Sequence, residues 1–533
     1  MIMNHTSGGQ VYRTLVRGKL RQRSALSVGG RNELPGGPDH VCARDGSNRL
    51  TIPGTGLAGA FMETAGRVFP QLLTGPRAAS KEEVQPYDQI TGKRKELPES
   101  DESLWQSLVR FHASHVDHPV TEYRQGVGIR QATGATASDA SALFDLETIP
   151  AGAEWPLFIE IDTLRGGPRV EAIALAAVWE WTQGRCWLGA SAARGLGWMQ
   201  LVEWQIVRLP LSEQAVNAWP NNRLRPESDQ DWCKLLSIGM HGGERIEGED
   251  SLQAAFRAGW GERLPEDSFH YLVIDATISP GLRPDRYGLD GVSVSGHATG
   301  LLEPTRENLL CPLGMDADIY RAAYNPDAPV VTSGNKPILP GSSLRGPLRH
   351  ATSRYARGQK EKVADPNTAQ GRKLGRRSDS NTAAPDAVAR LFGLGEFSGR
   401  LLVKDSVAGG NGWTLAWLQQ HAEDEFSSGV YGSDKFDRTA VLQAEFPVRL
   451  LIEAPDVDSL QQSLKTLSPA LRLAELGYVP LGGGKWRGLG WIPWKFTSVQ
   501  YARAGQKAQL LAVGPSILDA FKSLPAGQGG GQS

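Results

Sequence analysis

The spacing of apolar side chains divides this chain into short strands and helices. Alternating positions predict a first strand over residues 11–26, and apolar runs predict further strands over 157–161, 172–181, 447–453 and 491–500. Leucines recur at helical spacing from 460 onwards, so residues 460–476 are expected to form an amphipathic helix that Pro469 kinks or divides. This mixture of strand–helix–strand units indicates an α+β fold of the ferredoxin-like kind.

Three short motifs occur twice in the same order. A Pro-Gly-x-x-Leu-x-Gly segment begins at Pro53 and at Pro340, and Arg-Gly-Leu-Gly-Trp begins at Arg194 and at Arg487. These separations are 287 and 293 residues, and a third pair, Ala-Glu-aromatic-Pro at 153 and 444, is separated by 291. Such nearly constant separations indicate a tandem duplication of one domain.

The duplication and the distribution of polar segments predict the domain boundaries. The first domain is expected over residues 1–210, a connecting segment over 211–265, the second domain over 266–503 and a flexible, glycine-rich tail over 504–533. Polar stretches at 75–103 and 358–385 interrupt the apolar pattern and predict loop insertions.

The charge balance argues against a free-standing nucleic-acid-binding protein, which is usually more basic than this chain. The 533 residues include 57 Lys and Arg and 58 Asp and Glu, for a net charge of −1. A nucleic acid would have to be bound through local patches and backbone amides, because there is no overall positive field. The four cysteines are far apart and no apolar run reaches the roughly 18 residues of a membrane span, which favours a cytoplasmic protein without membrane contact.

The repeated glycine loops are candidates for phosphate binding. Glycines let backbone N–H groups approach a ligand, and successive N–H groups form an anion site to which a cation adds charge. A tight turn before the last strand is the alternative. The predicted RNA-binding positions in these loops are Arg194, Gly195 and Gly197 in the first copy and Gly483, Gly484, Lys485, Arg487, Gly488 and Gly490 in the second.

Each Pro-Gly-x-x-Leu-x-Gly segment predicts the start of a helix, where unpaired N–H groups and the helix dipole attract phosphate. Thr55 in the first copy and Ser342 or Ser343 in the second are expected to cap the helix. Arg345 adds a cation at the position that Ala58 occupies in the first copy. The predicted RNA-binding positions of the helix starts are Gly54, Thr55, Gly56, Gly341, Ser342, Ser343 and Arg345.

In combination, these motifs resemble the RAMP superfamily of CRISPR-associated proteins. The resemblance rests on residues 340–346, on Leu391-Phe392-Gly393 leading to residues 401–405, and on the closing Arg-Gly-Leu-Gly loop. It implies two tandem ferredoxin-like, RRM-related RAMP domains with loop insertions and β-hairpin thumbs. A fused pair is similar to the double backbone subunits of type III-D and III-E effector complexes, whose partners are CRISPR guide RNA, complementary target RNA and other type III effector subunits.

In this family, an aspartate on the loop between the first strand and the helix start cuts target RNA. The first copy has Gly29-Gly30 followed by Asp39, which lies 14 residues before Pro53. The family pattern includes a second aspartate six positions further on, and Asp45 occupies that position. The resemblance therefore implies that Asp39 is catalytic.

The second copy matches the same loop less completely. Asp327 lies 13 residues before Pro340, but Ser333 stands where the second aspartate would be, and no Gly-Gly closely precedes Asp327. The resemblance implies Asp327 as the catalytic residue of this copy. The ligands that it implies for Mg²⁺ or another divalent cation are Asp39, Asp45 and Asp327.

The chemistry of RNA cleavage is compatible with such a loop. RNA carries its own nucleophile, the 2′-OH, so cleavage needs in-line geometry and charge stabilisation at the phosphate, which a carboxylate-bound hydrated Mg²⁺ supplies. The leading interpretation is a metal-dependent endoribonuclease that cuts target RNA at two positions within the complex. The alternatives are a non-catalytic RNA-binding scaffold and a guide-precursor processing ribonuclease, for which no catalytic His or Tyr near the glycine loops stands out.

Overall fold

The computed structural model describes most of both repeated halves. It covers residues 11–30, 39–70, 107–117, 120–129, 143–210, 244–261, 265–282, 289–290, 304–305, 307–365, 385–394, 398–423 and 430–513, together with positions 217, 230, 232–235, 237 and 524. The predicted insertion at 75–103, most of the one at 358–385 and nearly all of residues 514–533 lie outside the described residues.

The first half contains ten strands and three helices among its described residues. In chain order they are β1 (Val11–Gln22), β2 (Leu50–Ile52), α1 (Gly54–Val68), β3 (Val109–Phe111), β4 (Ser114–Val116), β5 (Glu122–Val127), β6 (Leu143–Thr148), β7 (Glu154–Ile161), α2 (Thr163–Thr182), β8 (Cys186–Trp187), β9 (Trp198–Pro210), β10 (Glu244–Ile246) and α3 (Glu249–Trp260). A 3₁₀ turn at Ala192–Arg194 precedes β9.

The second half repeats this series with longer hairpin strands. Its described elements are β11 (His270–Ile278), β12 (Gly281–Leu282), β13 (Leu289–Asp290), α4 (Ala317–Ala322), β14 (Thr332–Ser333), β15 (Lys336–Leu339), α5 (Gly341–Gly358), α6 (Ala387–Phe392), β16 (Leu401–Val403), β17 (Ser406–Val407), β18 (Gly409–Glu423), β19 (Val430–Ala454), α7 (Val457–Glu475), β20 (Trp494–Arg503) and β21 (Gln509–Val513). A 3₁₀ turn at Lys485–Arg487 precedes β20.

Both main sheets have the same antiparallel strand order. The first runs β10-β9-β1-β7-β3, and the second runs β21-β20-β11-β19-β16. In each half the central strand pairs on one side with the strand before the second long helix and on the other side with the strand after the glycine loop. With one helix after the first strand and one after the third, each half has the β-α-β-β-α-β arrangement of a ferredoxin-like domain.

Each half also carries a β-hairpin outside the main sheet. In the first half β5 pairs with β6, and in the second the long strand β18 pairs with β19 before β19 continues into the main sheet. The family resemblance implied a β-hairpin thumb in each domain but gave no position for it. Their second strands come close to the loops that carry Asp39 and Asp327.

The largest difference from the sequence-based prediction concerns residues 172–181. This segment was predicted as a strand, but it forms the second half of α2, and every residue from Val170 to Thr182 is buried. A helix that is buried on all sides is apolar on all sides, so it lacks the polar face that makes helical spacing visible. The apolar run therefore could not distinguish a buried helix from a buried strand.

The helix α2 is buried because it lies between the two sheets. It packs on β1 and β9 of its own half and is flanked by α1 and α3. Side chains of the second sheet, including Tyr271, Leu451 and Ala502, belong to the same apolar cluster. Arg67 at the end of α1 adds an ion pair across the boundary, with its Nε 2.9 Å from the Glu453 carboxylate. The core of the first copy therefore includes side chains of the second copy, which also has a core of its own around α5 and α7.

Regular elements lie within both the segment expected as a connection, 211–265, and the segment expected as a tail, 504–533. Within the expected connecting segment, β10 pairs with β9, and α3 packs on α2 through the fully buried Leu252 and Phe256. Within the expected tail, β21 pairs with β20, and the Gly505 N–H donates to Glu180 across the copy boundary. Short edge strands carry few residues, so their pairing was not visible in the pattern.

Several local expectations can also be compared with the structure. The strand predicted at 11–26 ends at Gln22, and the strands at 157–161, 447–453 and 491–500 correspond to β7, β19 and β20. The helix predicted at 460–476 is α7, which is one helix that contains Pro469. The expected serine and threonine caps are wrong, because Pro53 and Pro340 occupy the cap positions without side-chain hydrogen bonds.

We expect the shared core to be sensitive to loss of Arg185. Its guanidinium lies 2.6 and 2.8 Å from the fully buried Glu180 carboxylate and donates to the Gln506 carbonyl of the second copy. Arg185→Ala leaves the buried Glu180 carboxylate without a counter-charge, so it should lower the free energy of unfolding by about 3–5 kcal/mol. Arg472→Ala, which removes an exposed ion pair with Glu475, should change it by less than about 1 kcal/mol. Denaturant unfolding measures both, and equal effects would contradict a shared core stabilised by this pair.

Candidate nucleic-acid interface

The loop that carries Asp39 is fixed from two sides. On one side it pairs with the Gly29-Gly30 segment, since the Gly30 N–H donates to the Val41 carbonyl at 2.8 Å and a Cβ at Gly30 would lie 2.8 Å from the Cys42 carbonyl oxygen. On the other side the buried Glu147 of β6 accepts the Cys42 N–H at 2.7 Å. The glycine at position 30 therefore permits a close approach of two backbone segments.

Asp39 itself is exposed and is held by the hairpin. Its Oδ2 accepts the backbone N–H of Asp145 on β6 at 3.0 Å. The next residue, His40, donates its N–H to the Asp145 carbonyl at 3.2 Å and accepts the Glu147 N–H at 2.8 Å. The loop thus adds a single parallel bridge to the second hairpin strand, and the carboxylate lies directly beside this bridge.

Asp327 has the same environment in the second copy. Its Oδ2 accepts the backbone N–H of Asp437 on β19 at 2.8 Å. Ala328 donates to the Asp437 carbonyl at 3.1 Å and accepts the Thr439 N–H at 3.1 Å. The two candidate catalytic aspartates therefore have matching backbone partners, although the loops around them share little sequence.

The structure gives Asp45 a different role. Its Oδ1 accepts the N–H groups of Ser47 and Arg49, and its Oδ2 lies 2.9 Å from the Arg49 Nε. These contacts lower its pKa and close the turn that leads into β2. Asp45 is therefore engaged as a turn residue, which does not support its prediction as a metal ligand.

The glycine loop of the second copy forms a cationic surface. Arg487 is exposed, with its guanidinium carbon 4.7 Å from the Phe436 ring centre, and Lys485 is half-buried. Beneath the loop lies Arg438, and a Cβ at Gly483 would be 2.1 Å from its Nη1. Burial lowers the pKa of both Lys485 and Arg438, and Arg487 lowers that of Arg438 further.

Arg438 has the features of an anion ligand that sequence reasoning missed. Its Nε and Nη1 atoms are buried and have no hydrogen-bond partner among the described residues. An unpaired buried guanidinium is costly, and a phosphate placed at this loop would satisfy it. Glycine at 483 lets the backbone pass close over the guanidinium.

The glycine loop of the first copy has fewer cations. Arg194 is exposed and lies 6.0 Å from the Phe144 ring centre, which repeats the arrangement of Arg487 and Phe436. However, Ala192 replaces Lys485, and Leu146 occupies the position of Arg438 and packs in a small apolar cluster with Leu196. The charge difference between the copies is therefore larger than the motifs alone indicated.

Two of the repeated glycines are required by the turn itself. Gly197 and Gly490 both have positive φ, and a Cβ would lie 1.8 Å from the Leu188 carbonyl oxygen in the first case and 2.0 Å from the Leu481 carbonyl oxygen in the second. Both positions are buried. At these two positions the alternative interpretation, a tight turn, describes the structure. The glycine side of each turn faces the protein interior.

At the start of α5, the N-terminal backbone N–H already binds an anion, which is a carboxylate of the protein itself. The Asp405 carboxylate accepts the Gly341 N–H at 2.8 Å and the Arg124 Nη1 of the first copy at 2.5 Å, and it is buried. The sequence predicted an anion at this helix N-terminus, and the dipole argument holds. The prediction that Gly341 binds RNA is not supported, because a carboxylate lies where phosphate was expected.

Arg345 is also used inside the protein. Its Nη2 donates to the Phe392 carbonyl at 2.7 Å and its Nε to the Leu401 carbonyl at 3.2 Å, and burial lowers its pKa to about 9. These contacts tie α5 to α6 and β16. Arg345 is therefore part of the packing around α5, which does not support its predicted role in RNA binding.

The remaining predicted RNA-binding residues differ in accessibility. The glycine of the first loop, Gly195, is buried against Asp405 and Gly341 of the second copy. The exposed positions are Thr55, Gly56, Arg194, Ser342, Arg487 and Gly488, and the half-buried ones are Gly54, Ser343, Gly483, Gly484 and Lys485.

A family comparison agrees with the duplicated geometry. The sequence model of the RAMP superfamily matches residues 5–200 and 326–492, one region in each half, and together these exceed half of the chain. The chain belongs to the RAMP superfamily. RAMP proteins bind RNA and act in CRISPR complexes, which indicates a CRISPR-associated RNA-binding subunit. None of the curated proteins compared with the chain is similar enough to serve as a relative.

The described residues of this RAMP protein also bear on metal binding and on membrane crossing. Within the described ranges, no group of three or more His, Cys, Asp or Glu side chains is arranged to hold a metal ion. A cation at Asp39 or Asp327 would have to be completed by RNA phosphates and water, which is how Mg²⁺ is often held. No helix in the described part of the chain has the length and hydropathy needed to cross a bilayer.

The close contact between the two copies at Gly341 predicts that a larger side chain does not fit there. A Cβ at Gly341 would lie 2.2 Å from the Val403 carbonyl oxygen and 2.6 Å from the Arg194 carbonyl oxygen. Gly341→Ala should therefore lower the free energy of unfolding by about 1–3 kcal/mol. Gly346→Ala in the same helix meets no atom within 4 Å and should raise it by about 0.5–1 kcal/mol. Thermal and denaturant unfolding compare the two, and a neutral Gly341→Ala would refute the close contact.

Proposed function

We propose that this RAMP protein is a fused double backbone subunit of a type III CRISPR effector complex, which holds guide RNA and cuts the paired target RNA at two positions. The observation that carries the proposal is the matched fixation of Asp39 and Asp327. Each is exposed, each accepts a backbone N–H from the second strand of a hairpin, and each is followed by a parallel bridge to that strand.

The chemistry that these residues could perform is limited and specific. A carboxylate on a rigid loop can orient a target phosphate region and its surrounding water so that the 2′-OH lies in line with the leaving oxygen. A hydrated divalent cation, when bound, would supply charge stabilisation at the phosphate. The contribution of the protein is to fix each carboxylate in position and to hold the RNA against it.

The guide RNA is assigned to the glycine loops. In the second copy, Arg438, Lys485 and Arg487 form a cationic surface beside the hairpin, and in the first copy Arg194 alone provides charge. Arg438 follows Asp437 directly on β19, so the cationic surface and the Asp327 loop share one strand. Phosphate contacts at this place would position the paired target strand near the carboxylate.

The free end of the second copy supports assembly with another RAMP domain. Within the chain, the turn Ala192–Arg194 contacts β16 and the start of α5, and its alanines pack against the shared core. The corresponding turn of the second copy carries Trp486, which is 99% exposed, at the position equivalent to Ala193. Tyr355 near the end of α5 and Tyr478 just after α7 are also exposed. We therefore assign this surface to the edge strand and helix start of a neighbouring subunit, by analogy with β16 and α5.

The cleavage proposal predicts two separable cuts. The complex is reconstituted with guide RNA and end-labelled complementary target, and Mg²⁺ is added or withheld with EDTA. Two Mg²⁺-dependent cuts are expected, one lost in Asp39→Ala and the other in Asp327→Ala, each slowed by about 10²-fold or more because the carboxylate has no substitute at its site.

Asp458→Ala serves as a matched control, because Asp458 is an exposed aspartate in the first turn of α7. It should leave both cuts unchanged. Loss of neither cut in Asp39→Ala and Asp327→Ala, with guide and target still bound, would leave the chain as an RNA-binding scaffold.

The assembly proposal predicts that a substitution at Trp486 removes the neighbouring subunit at one end of the chain only. Trp486→Asp places a charge where the edge strand of a neighbouring subunit is expected to pack, so the assembled complex should lose the neighbour at the second-copy end. Native mass spectrometry of the purified complex measures this loss. Leu313→Asp, at another fully exposed apolar residue, is the control and should assemble normally. An unchanged subunit composition in Trp486→Asp would rule out this surface.

A further inference from the structure

A Phe-Asp dipeptide occupies the same place in both hairpins. Phe144-Asp145 lies on β6 and Phe436-Asp437 on β19, separated by 292 residues, which is within the range of the other repeated motifs. The sequence around the dipeptides differs, because Leu146 follows one and Arg438 the other. The dipeptide therefore recurs on the hairpin strand nearest each candidate site although its neighbours do not.

The aspartate of each dipeptide acts through its backbone. Both backbone polar groups of Asp437 face the loop, since its N–H donates to the Asp327 carboxylate at 2.8 Å and its carbonyl accepts the Ala328 N–H at 3.1 Å. Asp145 repeats both contacts with Asp39 and His40, at 3.0 and 3.2 Å. An N–H donated to a carboxylate is a charge-assisted hydrogen bond, which fixes one oxygen of the candidate catalytic group.

The phenylalanine of each dipeptide faces the glycine loop. The Arg487 guanidinium lies 4.7 Å from the Phe436 ring centre, and the Arg194 guanidinium lies 6.0 Å from that of Phe144. Both distances are within the range of a cation–π contact. In a strand the backbone N–H and C=O groups point sideways within the sheet, whereas the side chains stand out of it. One dipeptide can therefore contact the aspartate loop through the backbone of one residue and the glycine loop through the side chain of the other.

We propose that the Phe-Asp dipeptide is the positioning element of each cleavage site, with Phe144 and Phe436 orienting the arginine that grips the guide, and the N–H groups of Asp145 and Asp437 orienting Asp39 and Asp327. The proposal rests on the proposed cleavage function and deepens it. Guide grip and target cleavage are then coupled by two adjacent residues of one strand. Asp145 and Asp437 are positioning residues, and their own carboxylates are not required.

The backbone role gives the sharpest test. Asp437→Ala keeps the N–H and should leave the cut at the Asp327 site within about twofold of wild type. Asp437→Pro removes the N–H while keeping extended backbone, and a misplaced carboxylate should slow that cut by roughly 10²-fold. Single-turnover cleavage of end-labelled target by the guide-loaded complex measures both cuts in one reaction, with the cut at Asp39 as the internal control.

The phenylalanine role is tested with a conservative pair. Phe436→Ala removes the ring beneath Arg487 and should slow the cut at the Asp327 site by roughly two- to fivefold, the loss expected from an exposed cation–π contact. Phe436→Tyr keeps the ring face and should restore the rate. The concentration of target that gives half-maximal cleavage should stay constant across the pair, because only the orientation of the site changes.

Each outcome decides the proposal. It is overturned if Asp437→Ala slows the cut as much as Asp437→Pro does, or if Asp437→Pro cuts normally. If Asp437→Pro also loses guide RNA or the cut at Asp39, the hairpin has unfolded, and equal rates for Phe436→Ala and Phe436→Tyr then overturn it. Failure of the underlying function looks different, since Asp327→Ala would then cut like wild type.

Discussion

The burial of α2 between two sheets is the constraint on which the rest of this molecule depends. A ferredoxin-like domain covers one face of its sheet with two helices and leaves the outer faces of those helices exposed. Here the sheet of the second copy covers α1 and α2 of the first, so Tyr271 and Leu451 join the same core as Trp155 and Trp179. This arrangement fixes the relative position of the two copies without a dedicated interface domain.

Buried charges accompany that shared core because the two copies meet through polar ends as well as apolar faces. Arg67 pairs with Glu453, and Arg124 reaches Asp405, which in turn holds the first N–H of α5. Each pair includes one residue from each copy. Such buried pairs add little net stability over apolar contacts, but breaking one is costly, so they favour a single register between the copies.

The sequence predicted much of the fold and part of the site. Repeated glycine motifs predicted the duplication and both helix starts, because Pro and Gly have the same effect on the local backbone in any tertiary context. The buried half of α2 was misread, since a helix that packs on two sides has no polar face. Arg438 and the role of Asp405 were not visible, because both depend on segments brought together by folding. The Phe-Asp repeat could have been found, since it lies at the common separation of 292 residues.

The two copies show which features of a duplicated site are set by the backbone and which by side chains. The hydrogen bonds of the Asp39 and Asp327 loops agree in donor, acceptor and order, although Glu147 in one copy corresponds to Thr439 in the other. The cations differ, since Arg438 and Lys485 have Leu146 and Ala192 as counterparts. Hydrogen bonds between backbone groups persist when the side chains of those residues change, whereas phosphate contacts require particular side chains. Under the proposed function, the two copies can therefore have the same cleavage geometry although the second copy binds the guide RNA through more cations than the first.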